Sequence, residues 1–436
     1  MKTKTFRPNK VNIITLGCAK NLVDSEVLSA QLQANDIAVA HESRRSDHEV
    51  VIINTCGFID KAKAESIQTI LQQVERKKSG KVRQVIVTGC LSARYQNELA
   101  AEIPEVDAWF GTEPYREVLQ WLQADYKQEL VGERLLSTPR HYAYLKISEG
   151  CNRTCAFCAI PLMRGKHQSR PMDEILLEAR KLAEKGVKEL ILIAQELTYY
   201  GLDLYKKRML GTLLEKLTKV PGIEWIRLHY AYPAQFPLDI LDVVKSQPKI
   251  CKYLDIPLQH ISDPILLAMH RQTNRAYIEQ LIHKIRETIP EICLRTTFIV
   301  GFPGETPQHV DELMAFMEKT RFDRVGVFTY SHEEHTRAFH LPDTISQEEK
   351  EKRAERVMDC QREISYEKNL ARIGQVLKVI VDRREAGRFV GRTEYDSPEV
   401  DNEVIIHSPK NLSPGQFVKV HITQAYDYDL EGRLVD

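Results

Sequence analysis

Tyr142-Ala-Tyr-Leu-Lys-Ile-Ser-Glu-Gly-Cys151-Asn-Arg-Thr-Cys155-Ala-Phe-Cys158 places three thiols on a C-x-x-x-C-x-x-C spacing. The apolar stretch 142–147 predicts a strand, so the cysteines fall on a loop at a strand's carboxyl end. Three chemistries compete for such a loop. A disulfide exchange pair needs only Cys155 and Cys158 and leaves Cys151 idle. Structural zinc needs four ligands, and His167 is the one nearby candidate, at a loose spacing. An iron–sulfur cubane held by three thiolates keeps one iron open to substrate, as a catalytic zinc keeps an open position.

Downstream of this loop, short apolar runs alternate with helical patterns. Strands are predicted at 142–147, 189–194, 225–229, 253–256, 294–300 and 324–328. Six strands separated by helices predict an incomplete parallel α/β barrel, with its site at the strands' carboxyl ends.

Upstream, a different set of three runs ends in a thiol. VNIITLGC ends at Cys18, EVVIINTC at Cys56 and QVIVTGC at Cys90. Runs this short and rich in Val and Ile read as buried parallel strands. Ile67, Ile70, Leu71 and Val74 fall on one helical face, and 24–32 and 93–103 are further helix candidates. Alternation of this kind predicts a doubly wound sheet, whose functional groups gather at the carboxyl edge. Packing alone would scatter cysteines along the strands. Three at one edge point to a shared ligand site.

The C-terminal region reads differently. Val418, Val420 and Ile422 alternate with polar residues, 375–381 and 403–407 are further strands, and Pro414-Gly415 marks a turn. A small all-β barrel is predicted from 371 to 436. Before it, 348–369 reads as a charged, solvated linker helix. The resulting division is 1–135, 136–370 and 371–436.

Composition agrees with a globular chain of several domains. The 436 residues are 43% hydrophobic and 28% charged, too long for one core. Sixty-one basic side chains balance 61 acidic ones, so the whole chain is not a polycationic nucleic-acid binder. No apolar run approaches a membrane span. The basic start MKTKTFRPNK lacks a following apolar stretch, so a reducing, cytoplasmic location is expected. Cys251, Cys293 and Cys360 are isolated and read as buried packing thiols.

The three-cysteine motif, with Phe157 before its last thiol, resembles that of the radical S-adenosylmethionine (SAM) enzymes. The resemblance implies that Cys151, Cys155 and Cys158 hold a 4Fe–4S cluster whose open iron chelates SAM. Three upstream cysteines, a radical SAM core and a C-terminal barrel together resemble the methylthiotransferases, whose barrel is termed a TRAM domain. That similarity implies a second, auxiliary 4Fe–4S cluster on Cys18, Cys56 and Cys90. SAM would serve twice, to methylate sulfur and to generate a radical.

Within the family, Leu16-Gly-Cys18-Ala-Lys-Asn21-Leu-Val-Asp24-Ser-Glu26 resembles the RimO-type branch, which modifies an aspartate β-carbon in ribosomal protein S-twelve. Cys158-Ala-Ile-Pro-Leu-Met-Arg164-Gly-Lys-His-Gln-Ser-Arg170 and Arg227-Leu-His-Tyr230-Ala-Tyr232-Pro233 are similar to the same branch. The sister branch modifies tRNA adenosine. A non-catalytic metal scaffold is the alternative of another class. The implied partners are S-twelve, free or in the small ribosomal subunit, and an electron donor such as flavodoxin or ferredoxin. No membrane and no tRNA are expected.

The barrel carries nine Lys or Arg against eleven Asp or Glu. Its run Glu394, Asp396, Glu399, Asp401, Glu403 is read as a surface steering a basic protein. Gln195, Gln259 and Arg295, near strand ends, are candidates for SAM. Arg164 is a candidate for a substrate carboxylate. His229 and His260 read as satisfied core histidines. Gly301-Phe-Pro-Gly304-Glu305 suits a tight turn. Glu196 and Leu197 stand where relatives carry Asp and Thr, and Met269-His-Arg271-Gln lacks an Arg-Arg pair.

Overall fold

The computed structural model describes residues 6–435 apart from 44 and 46, so the first half of the basic N-terminal stretch lies outside the described residues. The chain forms two compact units. One runs to Thr138 and takes in Tyr144–Asn152 and Ala159–Lys181; the other holds Pro139–Ala143, Arg153–Cys158 and the chain from Leu182.

The first unit is built on a parallel sheet in the order Ala38–His41, Lys10–Thr15, Val50–Thr55, Gln84–Gly89, Ala108–Trp109. Helices cover both faces, so consecutive strand residues are buried on opposite sides. Val11, Ile13, Val50, Ile52 and Ile86 pack with Leu28 and Leu32 of helix Ala19–Gln33 on one face. Val51, Ile53, Val85 and Val87 pack with Ile70, Val74 and Leu99 on the other. Each such aliphatic side chain contributes ~1.5–3 kcal/mol on burial. The three central strands match the sequence reading. The two edge strands were not legible, being short and only partly apolar. The expected connection after residue 113 contains a helix, Tyr115–Trp121.

The second unit holds five strands of a parallel sheet, in the order Arg324–Thr329, Cys293–Val300, Ile250–Asp255, Trp225–Leu228, Glu189–Ile193, and the start of the sixth, Tyr142–Lys146. Spatial order follows chain order, as in a barrel that does not close. A closed five-stranded barrel follows: Val376–Glu385, Arg388–Thr393, Val404–His407, Leu430–Val435, Phe417–Ala425. Its core is Val379, Val381, Phe389, Ile406, Val420 and Ile422.

Two sequence expectations are corrected here. Helix Gln347–Leu370 is not a solvated linker, because Lys350, Arg353, Val357, Cys360 and Ile364 form a buried stripe at helical spacing. Cations occupy two of those positions and hid the periodicity. Arg353 donates to Glu305 (2.9 Å) and Lys350 to Asp343 (2.6 Å).

The acidic run is not a steering surface either. Asp396 accepts from Arg324 (2.5 and 3.1 Å) and Thr393. Asp401 accepts from Arg295 (3.2 Å) and the Tyr253 hydroxyl (2.7 Å). Glu399 accepts from the Tyr142 hydroxyl, Glu394 from the Lys252 N–H, and Glu403 from the Arg383 fork. Most of these carboxylates fasten the barrel to the six-stranded sheet. Beside them, Glu189 bridges two buried guanidiniums, Arg227 (2.8 Å) and Arg392 (2.9 Å). Arg392 continues to Asp382, which also meets His141 Nε2 at 2.7 Å. Burial pushes the Glu189 carboxyl up, but Arg392 and Arg227 outweigh it and hold it below its ordinary value.

Among the described residues no helix is long and apolar enough to cross a membrane. Glu189→Gln should cost about 3–5 kcal/mol, because it leaves two buried cations short of one anion. Denaturant titration of the apo chain checks this, with Glu348→Gln, in an exposed pair with Lys352, expected to unfold like the parent.

Candidate metal centres

The order of the first sheet reverses between Lys10–Thr15 and Val50–Thr55, the switch point where open sheets leave a crevice at their carboxyl edge. Cys18 and Cys56 follow these two strands, and Cys90 follows the neighbouring Gln84–Gly89. Glycines let the backbone close in around them. Gly17 has φ +93, and a Cβ there would lie 2.7 Å from Cys56 Cβ and 3.0 Å from its sulfur. Gly89 has φ +94, and its Cβ would lie 2.4 Å from Asn54 Oδ1. Ser66 ties the Cys56 backbone at both its N–H (3.1 Å) and C=O (2.9 Å).

The thiols form a gradient from exposed Cys18 through half-buried Cys56 to buried Cys90. Burial pushes Cys90 up to about 12, with Arg164 opposing it and Cys18 and Cys56 adding to it. Burial also raises Cys56, and Cys18 adds to the rise. Each sulfur thus stands within electrostatic reach of the others. A tetrahedral zinc, at about 2.3 Å per bond, would draw them to roughly 3.8 Å of one another. Among the described residues, the set of three metal-ligand atoms within 4.8 Å of each other is Asp24, Glu113 and Glu149. Three thiols are one donor short of a closed zinc site, and three thiolates are the set that leaves a cubane one open iron. The carboxylate trio is not a metal site, because the Lys146 ammonium already sits among all three.

Arg164 was missed as a partner of this set. Its Nε donates to Cys90 Sγ (3.3 Å), Nη1 to Glu149 (2.8 Å), and Nη2 to Asn21 (2.5 Å) and Asp24 (3.2 Å). Every arm of the buried fork is engaged. This corrects the expectation that Arg164 receives a substrate carboxylate.

In the second unit, Cys155 has its own arginine. Arg271 Nη1 lies 3.2 Å from Cys155 Sγ, and its Nη2 donates to Pro257 O (2.5 Å). The Tyr232 hydroxyl is 3.6 Å from the same sulfur, donates to Arg271 O (2.8 Å), and its ring lies under the Arg271 guanidinium. Arg153, within the motif, grips Glu196 through Nε (2.8 Å) and Nη2 (2.6 Å), and Glu196 also caps Thr198 N–H (2.8 Å). The departure from Asp to Glu at 196 therefore keeps a working carboxylate. The Ala156 N–H donates to Met269 O (2.9 Å) and fixes the loop's centre. Sequence spacing gave no sign of the Arg271–Cys155 pair, whose members lie 116 residues apart.

The SAM candidates separate. Gln259 has φ +76, joins the sheet beside Phe298, and its buried Oε1 has no hydrogen-bond partner among the described residues. An orphaned polar atom on strained backbone is what a ligand contact leaves in an apo chain. Gln195 is half-buried just past strand Glu189–Ile193. Arg295 lies three residues, roughly 10 Å of strand, before Phe298, and its guanidinium is spent on Asp255 (3.1 Å) and Asp401. Its place is the barrel junction. His229 and His260 are core histidines, meeting Ser397 Oγ (2.9 Å) and Glu305 (3.4 Å). Gly301–Glu305 is a turn closed by its own Glu305 carboxylate on the Gly301 N–H (2.8 Å).

Three family models match the chain: Uncharacterized protein family UPF0004 over residues 10–111, the Radical SAM superfamily over 145–317 and the TRAM domain over 373–435. The ribosomal protein uS12 methylthiotransferase RimO of Christiangramia forsetii is 56% identical over 433 residues, 99% of this chain and 96% of that one. Its counterpart in Flavobacterium johnsoniae is 55% identical over 99% of both chains. The chain belongs to the uS12 methylthiotransferase family of radical SAM enzymes. As a member of that family it works with SAM and two 4Fe–4S clusters. A solved radical SAM methyltransferase, TsrM of Kitasatospora setae with tryptophan and a SAM analogue bound, aligns with TM-score 0.54 at 14% identity over 73% of this chain and 72% of that one. At that identity it supports the α/β fold alone.

Burial pushes Glu149 up, but Lys146 and Arg164 outweigh it and hold the carboxyl down at about 2, from 4.5. A depressed folded value contributes stability that is complete above about pH 4.5 and lost as pH falls toward 2. Acid titration of the apo chain should therefore show a loss of stability in that window that Glu149→Gln lacks. At pH 7 the same variant should be less stable by about 3 kcal/mol.

Proposed function

We propose that this chain transfers a methylthio group to the β-carbon of an aspartate in ribosomal protein uS12. Full-length identity above 50% to enzymes named for that substrate carries the reading. Cys151, Cys155 and Cys158 are assigned to the cluster that binds SAM, and Cys18, Cys56 and Cys90 to the auxiliary cluster. When bound, these groups supply a carbon-centred radical and a transferable sulfur.

The protein's own residues have more modest tasks. Arg271 and Tyr232 fix the Cys155 sulfur, and Arg153 with Glu196 stiffens the loop between Cys151 and Cys155. Gln259 offers its unpartnered Oε1, and Gln195 a second amide, to the polar groups of SAM. Arg295 is left out of this set.

The preference for a protein over tRNA rests on sequence identity, because the carboxylates of the acidic run are engaged in hydrogen bonds and ion pairs within the chain. A low-potential one-electron carrier of the flavodoxin or ferredoxin type is the expected reductant, in the cytoplasm. The segments 1–135, 136–370 and 371–436 are proposed as the modules of this activity.

Replacing Cys151, Cys155 and Cys158 together with Ala should halve the bound iron and abolish SAM cleavage. Replacing Cys18, Cys56 and Cys90 should also halve the iron, yet leave SAM cleavage without sulfur transfer. Iron analysis and 5′-deoxyadenosine assay after anaerobic reconstitution check both. Mass spectrometry of uS12 and of tRNA from a deletion strain decides the substrate: loss of the mass increment from tRNA instead of uS12 would overturn this reading.

A further inference from the structure

The sulfurs of the auxiliary set are not equivalent. Cys18 is exposed and Cys56 half-buried, while Cys90 is buried with a guanidinium against its sulfur. That guanidinium sits at the end of the short helix Ile160–Arg164, whose Ile160 and Met163, with Ala159, pack around Cys90. Its other arms are held by Glu149, Asn21 and Asp24. Asn21 is itself fixed, its amide donating to Leu16 O (2.8 Å) and Thr55 O (3.0 Å), the residues preceding the strand-end turns to Cys18 and Cys56. Lys146 holds Asp24 and Glu149 from the far side. Every contact that aims Nε at Cys90 is supported by a second contact.

Both amino groups of Arg164 are already held by Glu149, Asn21 and Asp24, so its charge is matched without the sulfur. Here Nε is the arm given to sulfur. A hydrogen bond from a cation to a ligating sulfur stabilises the more negative, reduced form of an iron–sulfur cluster, and so raises its reduction potential. We propose that Arg164 is a positioning residue of the auxiliary centre, which fixes the Cys90 sulfur and raises the potential of the cluster that Cys90 ligates. In the step concerned, the oxidised cluster takes one electron from a low-potential one-electron donor; no bond is made or broken. The inference rests on the assignment of Cys18, Cys56 and Cys90 to a cluster.

The test uses the full chain with Cys151, Cys155 and Cys158 replaced by Ala, so that one cluster remains, reconstituted anaerobically. Arg164→Gln and Arg164→Lys are made in this background. Iron content is measured first, then the midpoint potential by a redox titration followed by electron paramagnetic resonance. At a fixed ambient potential the ratio of reduced to oxidised cluster should fall about tenfold in Arg164→Gln, a shift of ~59 mV for one electron. Arg164→Lys, which keeps the charge and loses the Nε donor, should fall less. A second measurement needs no variant at position 164. Protein grown on ¹⁵N-arginine should show a nitrogen hyperfine coupling to the reduced cluster. Full iron with an unchanged midpoint in Arg164→Gln, or no arginine coupling in the parent, would overturn the role of Arg164 while leaving the cluster assignment standing. Absence of any cluster signal in the parent would remove that assignment and this inference together.

Discussion

A guanidinium withdrawn from water keeps its charge, so each buried arginine dictates where anions or soft acceptors must stand. Arg227 and Arg392 converge on Glu189, Arg324 takes Asp396, Arg353 takes Glu305 and Arg153 takes Glu196. Each pair joins segments distant in sequence, and an ion pair of this kind is stringent about geometry because a misplaced partner leaves a charge uncompensated. At two places the acceptor is a cysteine sulfur. The rule that fastens the barrel to the sheet is therefore the rule that aims donors at the ligating thiols.

The thiols owe their grouping to topology. Parallel strands that all run toward one edge deliver whatever follows them to the same rim, and the reversal of strand order opens a crevice there. Lys10–Thr15 and Val50–Thr55 flank that reversal, and each is followed within a few residues by a cysteine. Glycine at 17 and 89 allows the approach that any side chain would block. A site assembled this way does not depend on a single loop holding its shape.

What could be read in the sequence was local: apolar runs, their strand-end thiols, the C-x-x-x-C-x-x-C spacing and the alternation of the last segment. These located the central strands of both sheets and all six ligand candidates. What escaped was the pairing of charged residues across long separations. Glu394, Asp396, Glu399, Asp401 and Glu403 looked like a solvated acidic face, because their partners Arg295, Arg324, Tyr142 and Arg383 stand elsewhere in the chain. Lys350 and Arg353 concealed a buried helical stripe for the same reason. Arg164 and Arg271 gave no local sign of their sulfur contacts, and a sequence pattern cannot say which arm of a guanidinium will face a thiol.

The barrel illustrates how a module of sequence differs from a module of folding. The TRAM match begins at residue 373, yet the side chains that neutralise its Asp396, Asp401 and Arg392 belong to the preceding sheet. Cut at that boundary, both pieces would carry raw faces of unmatched charge. A barrel borrowed from a relative would be accepted only by a sheet already bearing Glu189, Arg295 and Arg324 in register.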